Sequence, residues 1–160
     1  VAARLIADYR LPQHGARILQ VNCEKGYLLK ELKDFKCEVV GIEPSSYARR
    51  AAHPAVKDNI IPQWIQWPEK FDLVIAIGAV YTLNLPDAMQ CLRQIENVGF
   101  NAFVTLAAYD TPEDYWLLRE WSLLGTTILK RDEWRAVMEH VGYTGDYWFV
   151  TAQSLGLTRE

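Results

Sequence analysis

A chain of 160 residues, half of them hydrophobic and 23% charged, is long enough for one folded domain with its own core and excludes a disordered chain. Its net charge of −3 lacks the basic excess of a nucleic-acid-binding face. No run approaches the ~18 apolar residues of a membrane span, and the first residues lack a signal-peptide layout. Cys23, Cys37 and Cys91 have no metal-ligand spacing, so a cytoplasmic protein with reduced thiols and no metal is expected.

In chain order, Ala2, Leu5, Ile6 and Tyr9 give the first nine residues the pattern of a short helix, which Pro12 and Gly15 break. Residues 16–21 read as an apolar strand, 22–26 as a tight loop, and 27–35 as an amphipathic helix with Leu28, Leu32 and Phe35 on its inner face. A second strand follows and ends on Glu43. Ser45 or Ser46 can cap the next helix, which stops before His53-Pro54. Residues 58–61 suit a short third strand cut off at Pro62, with Trp64 and Trp67 packing a loop on the sheet or flanking a ligand. Residues 71–78 are a continuous apolar run, the mark of a central parallel strand. Asn84, Pro86 and Asp87 open a helix that presents Leu85, Ala88, Met89, Leu92 and Ile95 and stops at Gly99. Residues 101–109 form a fifth strand. Thr111, Pro112 and Asp114 start a helix with Leu117, Trp121 and Leu124 along it, ended by Gly125. Trp134, Val137, Met138 and Val141 mark another, closed by Gly142, and residues 143–151 a terminal strand.

The repeated strand–helix alternation predicts an α/β fold: a single doubly wound, mostly parallel sheet with helices on both faces. Residues 1–160 are read as one domain, with a helix and linker over 1–15, a binding core over 16–110 and an aromatic-rich part over 111–160.

Chemistry is expected in the strand–loop–helix–strand unit of residues 16–43. Loop amides and a helix N-terminus suit an anionic group, and an acid closing the neighbouring parallel strand can accept both hydroxyls of a ribose. Seventeen residues separate Gly26 from Glu43, close to the roughly 20 of a dinucleotide fingerprint. A carboxylate that closes an apolar strand is expensive to desolvate unless it meets a donor. With ribose hydroxyls as those donors, at the edge of the sheet, Glu43 is expected to be dispensable to the fold.

This unit resembles the cofactor-binding core of class I S-adenosylmethionine-dependent methyltransferases. Their first motif is acid-x-Gly-x-Gly-x-Gly, followed by a helix and a second strand ending in Asp or Glu. Gly41-Ile42-Glu43-Pro44-Ser45 is similar to the second motif, and the run from Phe71-Asp72 to the fourth-strand motif, which ends beside the cofactor at Ile77. In the first motif Gln20 stands where the acid belongs, Asn22 and Glu24 replace two glycines, and Gly26 is kept. The resemblance implies a Rossmann-like fold of seven strands, against at most six counted here, so this chain is expected to lack an edge strand or hairpin. It also implies S-adenosylmethionine as cofactor and direct methyl transfer to a small-molecule acceptor. Asn22, Cys23, Glu24, Gly26, Glu43, Pro44, Asp58 and Ile77 would surround the cofactor, with Glu43 on the ribose, Pro44 flanking the adenine, and Asp58 or Asn59 at its amino group. Cys23 is read as a small packing residue of the loop rather than a nucleophile. Glu24 would either repel the cofactor's carboxylate or pair its ammonium.

No general base carries over. Tyr81 and Thr82 occupy the place where many small-molecule members of the family show a Glu-His pair. Tyr109 and Asp110, just past the fifth strand at the carboxyl edge where open α/β sheets bind ligands, are candidates for substrate contact. His140 sits in the last turn of a helix, where the dipole favours its charge. Aromatic residues crowd the last third. Trp121 and Trp134 fall on helical stripes and read as core, and the remainder suit an acceptor pocket or a homo-oligomer interface. The divergent loop equally fits a non-catalytic relative that keeps the fold as a binding or assembly module. A Rossmann-type nucleotide enzyme is disfavoured by the missing Gly-x-Gly-x-x-Gly.

Overall fold

The computed structural model describes residues 1–158. The chain forms two compact units. The first, Val1–Ala76 with Val98–Ala102, holds α1 (Ala2–Asp8), β1 (Arg17–Val21), α2 (Tyr27–Asp34), β2 (Glu38–Ile42), α3 (Ser46–Arg50), β3 (Ile60–Ile61) and β4 (Leu73–Ala76). β1 runs between β2 and β4, parallel to both, with Gln20 opposite Gly41 on one side and Ile75 on the other. β3 adds to β2 in parallel. Ile18, Leu19, Val74 and Ile75 are wholly buried, as strands covered on both faces require.

The loop after β1 and the helix α2 close onto β2 at one point. A Cβ added to Gly41 would lie 2.5 Å from Cys23 Sγ and 2.6 Å from Leu29 Cδ1, so only glycine leaves room for both. α2 buries Leu29 and Leu32 rather than the expected stripe of Leu28, Leu32 and Phe35. The helix ends at Asp34, so Phe35 has left it and is 48% exposed. Ser45 is the cap of α3, its hydroxyl accepting from the Ala48 amide at 3.2 Å. Trp64, Trp67 and the buried Phe71 form a chain of edge-on rings with centroids 6.0 and 5.2 Å apart, which is the packing role of the two tryptophans.

The second unit, Ile77–Asn97 with Phe103–Glu160, is built from α4 (Leu85–Val98), β5 (Ala102–Tyr109), α5 (Pro112–Trp121), β6 (Leu129–Lys130), α6 (Arg131–Val141) and β7 (Asp146–Val150). α4 begins where Asn84 Oδ1 accepts from the Asp87 amide at 2.9 Å, and it buries Ala88, Cys91, Leu92 and Ile95. Thr111 and Asp114 cap α5 reciprocally. The buried stripe of α5 passes through Asp114 and Leu118, and the helix stops before another turn could cover Trp121. That residue is 42% exposed, against the expectation that it is core. Trp134 of α6 is wholly buried, and its indole N–H donates to the Ala107 carbonyl at 2.8 Å.

The strands make a seven-stranded, mostly parallel sheet in the order β3-β2-β1-β4-β5-β6, with β7 also on β5. Phe103–Ala107 pairs with β7, and Ala108 and Tyr109 pair with β6, in parallel in both cases. The count of at most six strands misses β6, whose two residues carry no periodicity of their own. Among the described residues no helix is long and apolar enough to cross a membrane.

Candidate functional site

The loop between β1 and α2 alternates between ordinary and left-handed backbone. Asn22, Glu24 and Gly26 have φ of +53°, +54° and +79°. These are the positions at which the first motif places glycines, and two of them hold this conformation with a full side chain. For glutamate this costs about 1–2 kcal/mol. Gly26 is constrained twice, because a Cβ there would also meet Val56 Cγ2 at 2.7 Å.

What holds the loop is Glu43. Its carboxylate is 7% exposed and accepts from two backbone amides, Glu24 to Oε1 and Ser45 to Oε2, each at 2.9 Å. The donors expected from a ribose are therefore supplied in part by the chain itself. Further bonds run from the Cys23 amide to the Ile42 carbonyl at 3.1 Å and from the His53 amide to the Lys25 carbonyl at 2.9 Å. The Gly26 amide donates to the Cys23 carbonyl at 3.0 Å. So the Cys23, Glu24 and Gly26 amides are already committed. The free donors are in the first turn of α2, whose intrahelical bonding begins with the Lys30 amide on the Gly26 carbonyl.

Beside the loop lies a cleft of about 440 Å³ lined by Gln20, Cys23, Glu24, Lys25, Tyr27, Leu28, Tyr47 and Ala48. Gln20 is 7% exposed, and its Oε1 is a buried acceptor with no donor among the described residues. Lys25 Nζ stands 5.7 Å from the centroid of the Tyr47 ring. The Cys23 thiol is buried, and its pKa is pushed up to about 12, first by burial and then by the neighbouring Glu43 carboxylate. Such a thiol packs and does not attack. Pro44 is exposed beyond β2, its carbonyl accepting from Arg49 Nη1 at 2.8 Å. Asp58 is exposed in a single 3-10 turn before β3. Neither lines the cleft. Sequence reasoning missed Lys25, Tyr27, Leu28, Tyr47 and Ala48 as cleft residues. The signal for Tyr47 and Ala48 was the Ser45 cap, which fixes where α3 starts.

Ile77, Tyr81, Tyr109 and Asp110 belong to the second unit. Ile77 follows β4 directly and is 37% exposed. Tyr81 is buried, and burial raises its hydroxyl pKa, so the phenol stays protonated. Past the end of β5, Tyr109, Asp110, Pro112, Tyr115, Trp116 and Lys130 line a second cleft of about 320 Å³. Its aromatic wall is an edge-on series, Tyr109 to Tyr115 at 5.2 Å and Tyr115 to Trp116 at 5.4 Å. Asp110 is gripped by Arg131 through two bonds of 2.9 and 3.2 Å, which hold its carboxyl below the usual range.

The methyltransferase domain family matches residues 2–147. The chain belongs to this family. No curated protein matches it. Among solved structures it is similar to the YcgJ protein of Bacillus subtilis, at 15% identity with a TM-score of 0.67, over 88% of this chain and 66% of that one. It is also similar to magnesium protoporphyrin IX methyltransferase of Synechocystis PCC 6803. With S-adenosylmethionine bound, that structure matches at 19% identity and a TM-score of 0.64, over 89% of this chain and 65% of that one. With S-adenosylhomocysteine bound, the values are 18% and 0.65, over 89% and 69%. At these identities the likeness speaks for the fold, and the chain spans about two thirds of the length of these structures. The class I methyltransferase resemblance of the sequence holds for family and fold alike.

Proposed function

We propose that the chain transfers a methyl group from S-adenosylmethionine to a small-molecule acceptor. The observation that carries this is the loop: three left-handed residues in the phase of the glycine motif, pinned by the strand-end carboxylate of Glu43. The residues present fit the cofactor. Gln20 Oε1 is an orphaned acceptor in the cleft, the first-turn amides of α2 are free donors, and Glu43 keeps lone pairs beyond the two that the chain occupies. Glu43 would hold the ribose, and Tyr27 and Leu28 would offer their amides to the carboxylate end.

When bound, S-adenosylmethionine supplies an electrophilic methyl on a sulfonium. The chain's own part is positioning. Neither Asp110, held ionised against Arg131, nor Tyr81, held protonated by burial, is suited to take a proton near neutral pH. The acceptor would therefore present an atom that is nucleophilic without help from a tuned base. The cleft at Tyr109 and Trp116 is the size of a small ligand site, which supports a small acceptor over a macromolecular one.

Thermal melting with ligand tests the reading. S-adenosylhomocysteine should raise the melting temperature by mass action while NAD and adenosine nucleotides do not. No shift up to millimolar S-adenosylhomocysteine would reject it in favour of a non-catalytic module.

A further inference from the structure

The cleft past the end of β5 combines aromatic walls with an unbalanced charge. Tyr109 of β5 and Lys130 of β6 are register partners in a parallel ladder, so their side chains leave the sheet on the same face, and both line the cleft. Tyr115 and Trp116 of α5 extend the wall, and Trp116 is 56% exposed. The carboxylate in the lining, Asp110, is already gripped by Arg131, and the nearby Glu133 turns back to accept the Lys130 amide at 2.9 Å. Among the described residues the Lys130 ammonium has no ion-pair partner. A second cation stands against the wall, Arg119, whose Cζ is 6.0 Å from the Tyr115 ring centroid. We propose that this cleft takes an aromatic monoanion, its ring against Tyr115 and Trp116 and its carboxylate at the Lys130 ammonium, and that this is the class of acceptor the chain methylates. The inference rests on the methyl-transfer reading and deepens it by naming the substrate class.

Charge, ring chemistry and size together select this class. A cationic aromatic would suit the ring faces, but Asp110 is committed to Arg131, and the unpaired Lys130 would repel it. A phosphate dianion would need a second free cation in the lining, and the charge of Arg131 is already cancelled by Asp110. An aliphatic acid would meet the ammonium but leave the aromatic wall without the offset or edge-on ring contact that adds to area burial. A volume of about 320 Å³ lies at the small end for ligand sites and suits one or two fused rings rather than a larger polycycle.

Calorimetry on the whole chain, with and without saturating S-adenosylhomocysteine, tests this with four probes. 2-Naphthoate carries both ring and charge, and 2-naphthamide has the same shape without the charge. Cyclohexanecarboxylate has the charge without the aromatic ring, and inorganic phosphate is an anion alone. Naphthoate should bind at least fivefold tighter than each of the other three. Lys130 and Trp116 are both exposed, so their variants should melt with the parent. Lys130→Met should cut the preference for naphthoate over naphthamide below twofold and leave the amide unchanged, whereas Trp116→Ala should weaken both naphthalene probes about fivefold. If no probe binds, if naphthamide or cyclohexanecarboxylate matches naphthoate, or if the preference survives Lys130→Met, the proposed class is wrong. The methyl-donor reading would still stand on the melting response to S-adenosylhomocysteine. If naphthoate binds selectively and S-adenosylhomocysteine does not bind, the cleft keeps its ligand class and loses its role as acceptor site.

Discussion

Glu43→Ala should destabilise the free protein by about 3 kcal/mol. The carboxylate makes two hydrogen bonds of 2.9 Å, one to the Glu24 amide and one to the Ser45 amide, and is nearly buried while doing so. Bonds to a charged group contribute about 1.5–3 kcal/mol each. The low end applies twice, since removing the charge also relieves its own desolvation. For a chain of this length that corresponds to roughly 6–12 °C in melting temperature. Glu43→Gln retains one acceptor and turns an N–H toward the second amide, so it should lose at least half as much. Urea unfolding measures this directly, as a lower midpoint at an unchanged slope. A loss under about 1 kcal/mol for the alanine variant would show that the two amides are satisfied without Glu43. The same variant should lose the S-adenosylhomocysteine response when titrated below its melting temperature.

Gly41→Ala forces a Cβ to 2.5 Å from Cys23 Sγ and should cost about 1–3 kcal/mol in the same unfolding assay; a neutral result would mean that loop and helix can draw back from β2. Cys23, with its pKa pushed up to about 12, should resist iodoacetamide at pH 8 in the native chain and label fully in denaturant, and fast native labelling would refute its packing role. The Asp110–Arg131 pair lowers the folded pKa of the carboxyl, so its stabilisation is present above the unfolded value of about 4 and is lost as pH falls through the folded one. Arg131→Met should therefore melt slightly lower than the parent at pH 7 and converge with it in acid. The gap is small because both partners are solvent-exposed, and one that widens in acid would contradict the assignment.

Elements that bury a whole face were legible in the sequence. The run that became β4 is apolar without interruption, and those of β1 and β5 are broken only by Gln20 and Thr105 within the strand, because parallel strands are covered on both sides. β6 was not legible, since two residues paired to the end of β5 show no period. Trp121 misled for a related reason: a helical stripe predicts burial only while the helix continues, and α5 stops there. In the candidate site, the position of Glu43 followed from strand and motif, but its two amide partners did not. They depend on how the loop folds back over β2, which Gly41 permits and no local pattern encodes.

That loop also bears on what the lost glycines mean. Left-handed backbone at positions 22, 24 and 26 survives although two of the three residues are not glycine. The path is therefore set by its anchors rather than by glycine content: the Cys23 amide on Ile42, the Glu24 amide on Glu43 and the Lys25 carbonyl under His53. Glu24→Gly relieves about 1–2 kcal/mol of strain and gives back about 0.5–1 kcal/mol through the greater freedom of glycine in the unfolded chain. The free protein should then gain up to about 1.5 kcal/mol in urea unfolding. If the Glu24 carboxylate serves an ammonium in the cleft, the same substitution should weaken S-adenosylhomocysteine about tenfold. Stability and affinity would then move in opposite directions, the pattern of a residue kept for its ligand at the expense of the fold. Should glycine improve both, the carboxylate is a burden that the anchors tolerate, and the loop has drifted from its motif without a purpose of its own.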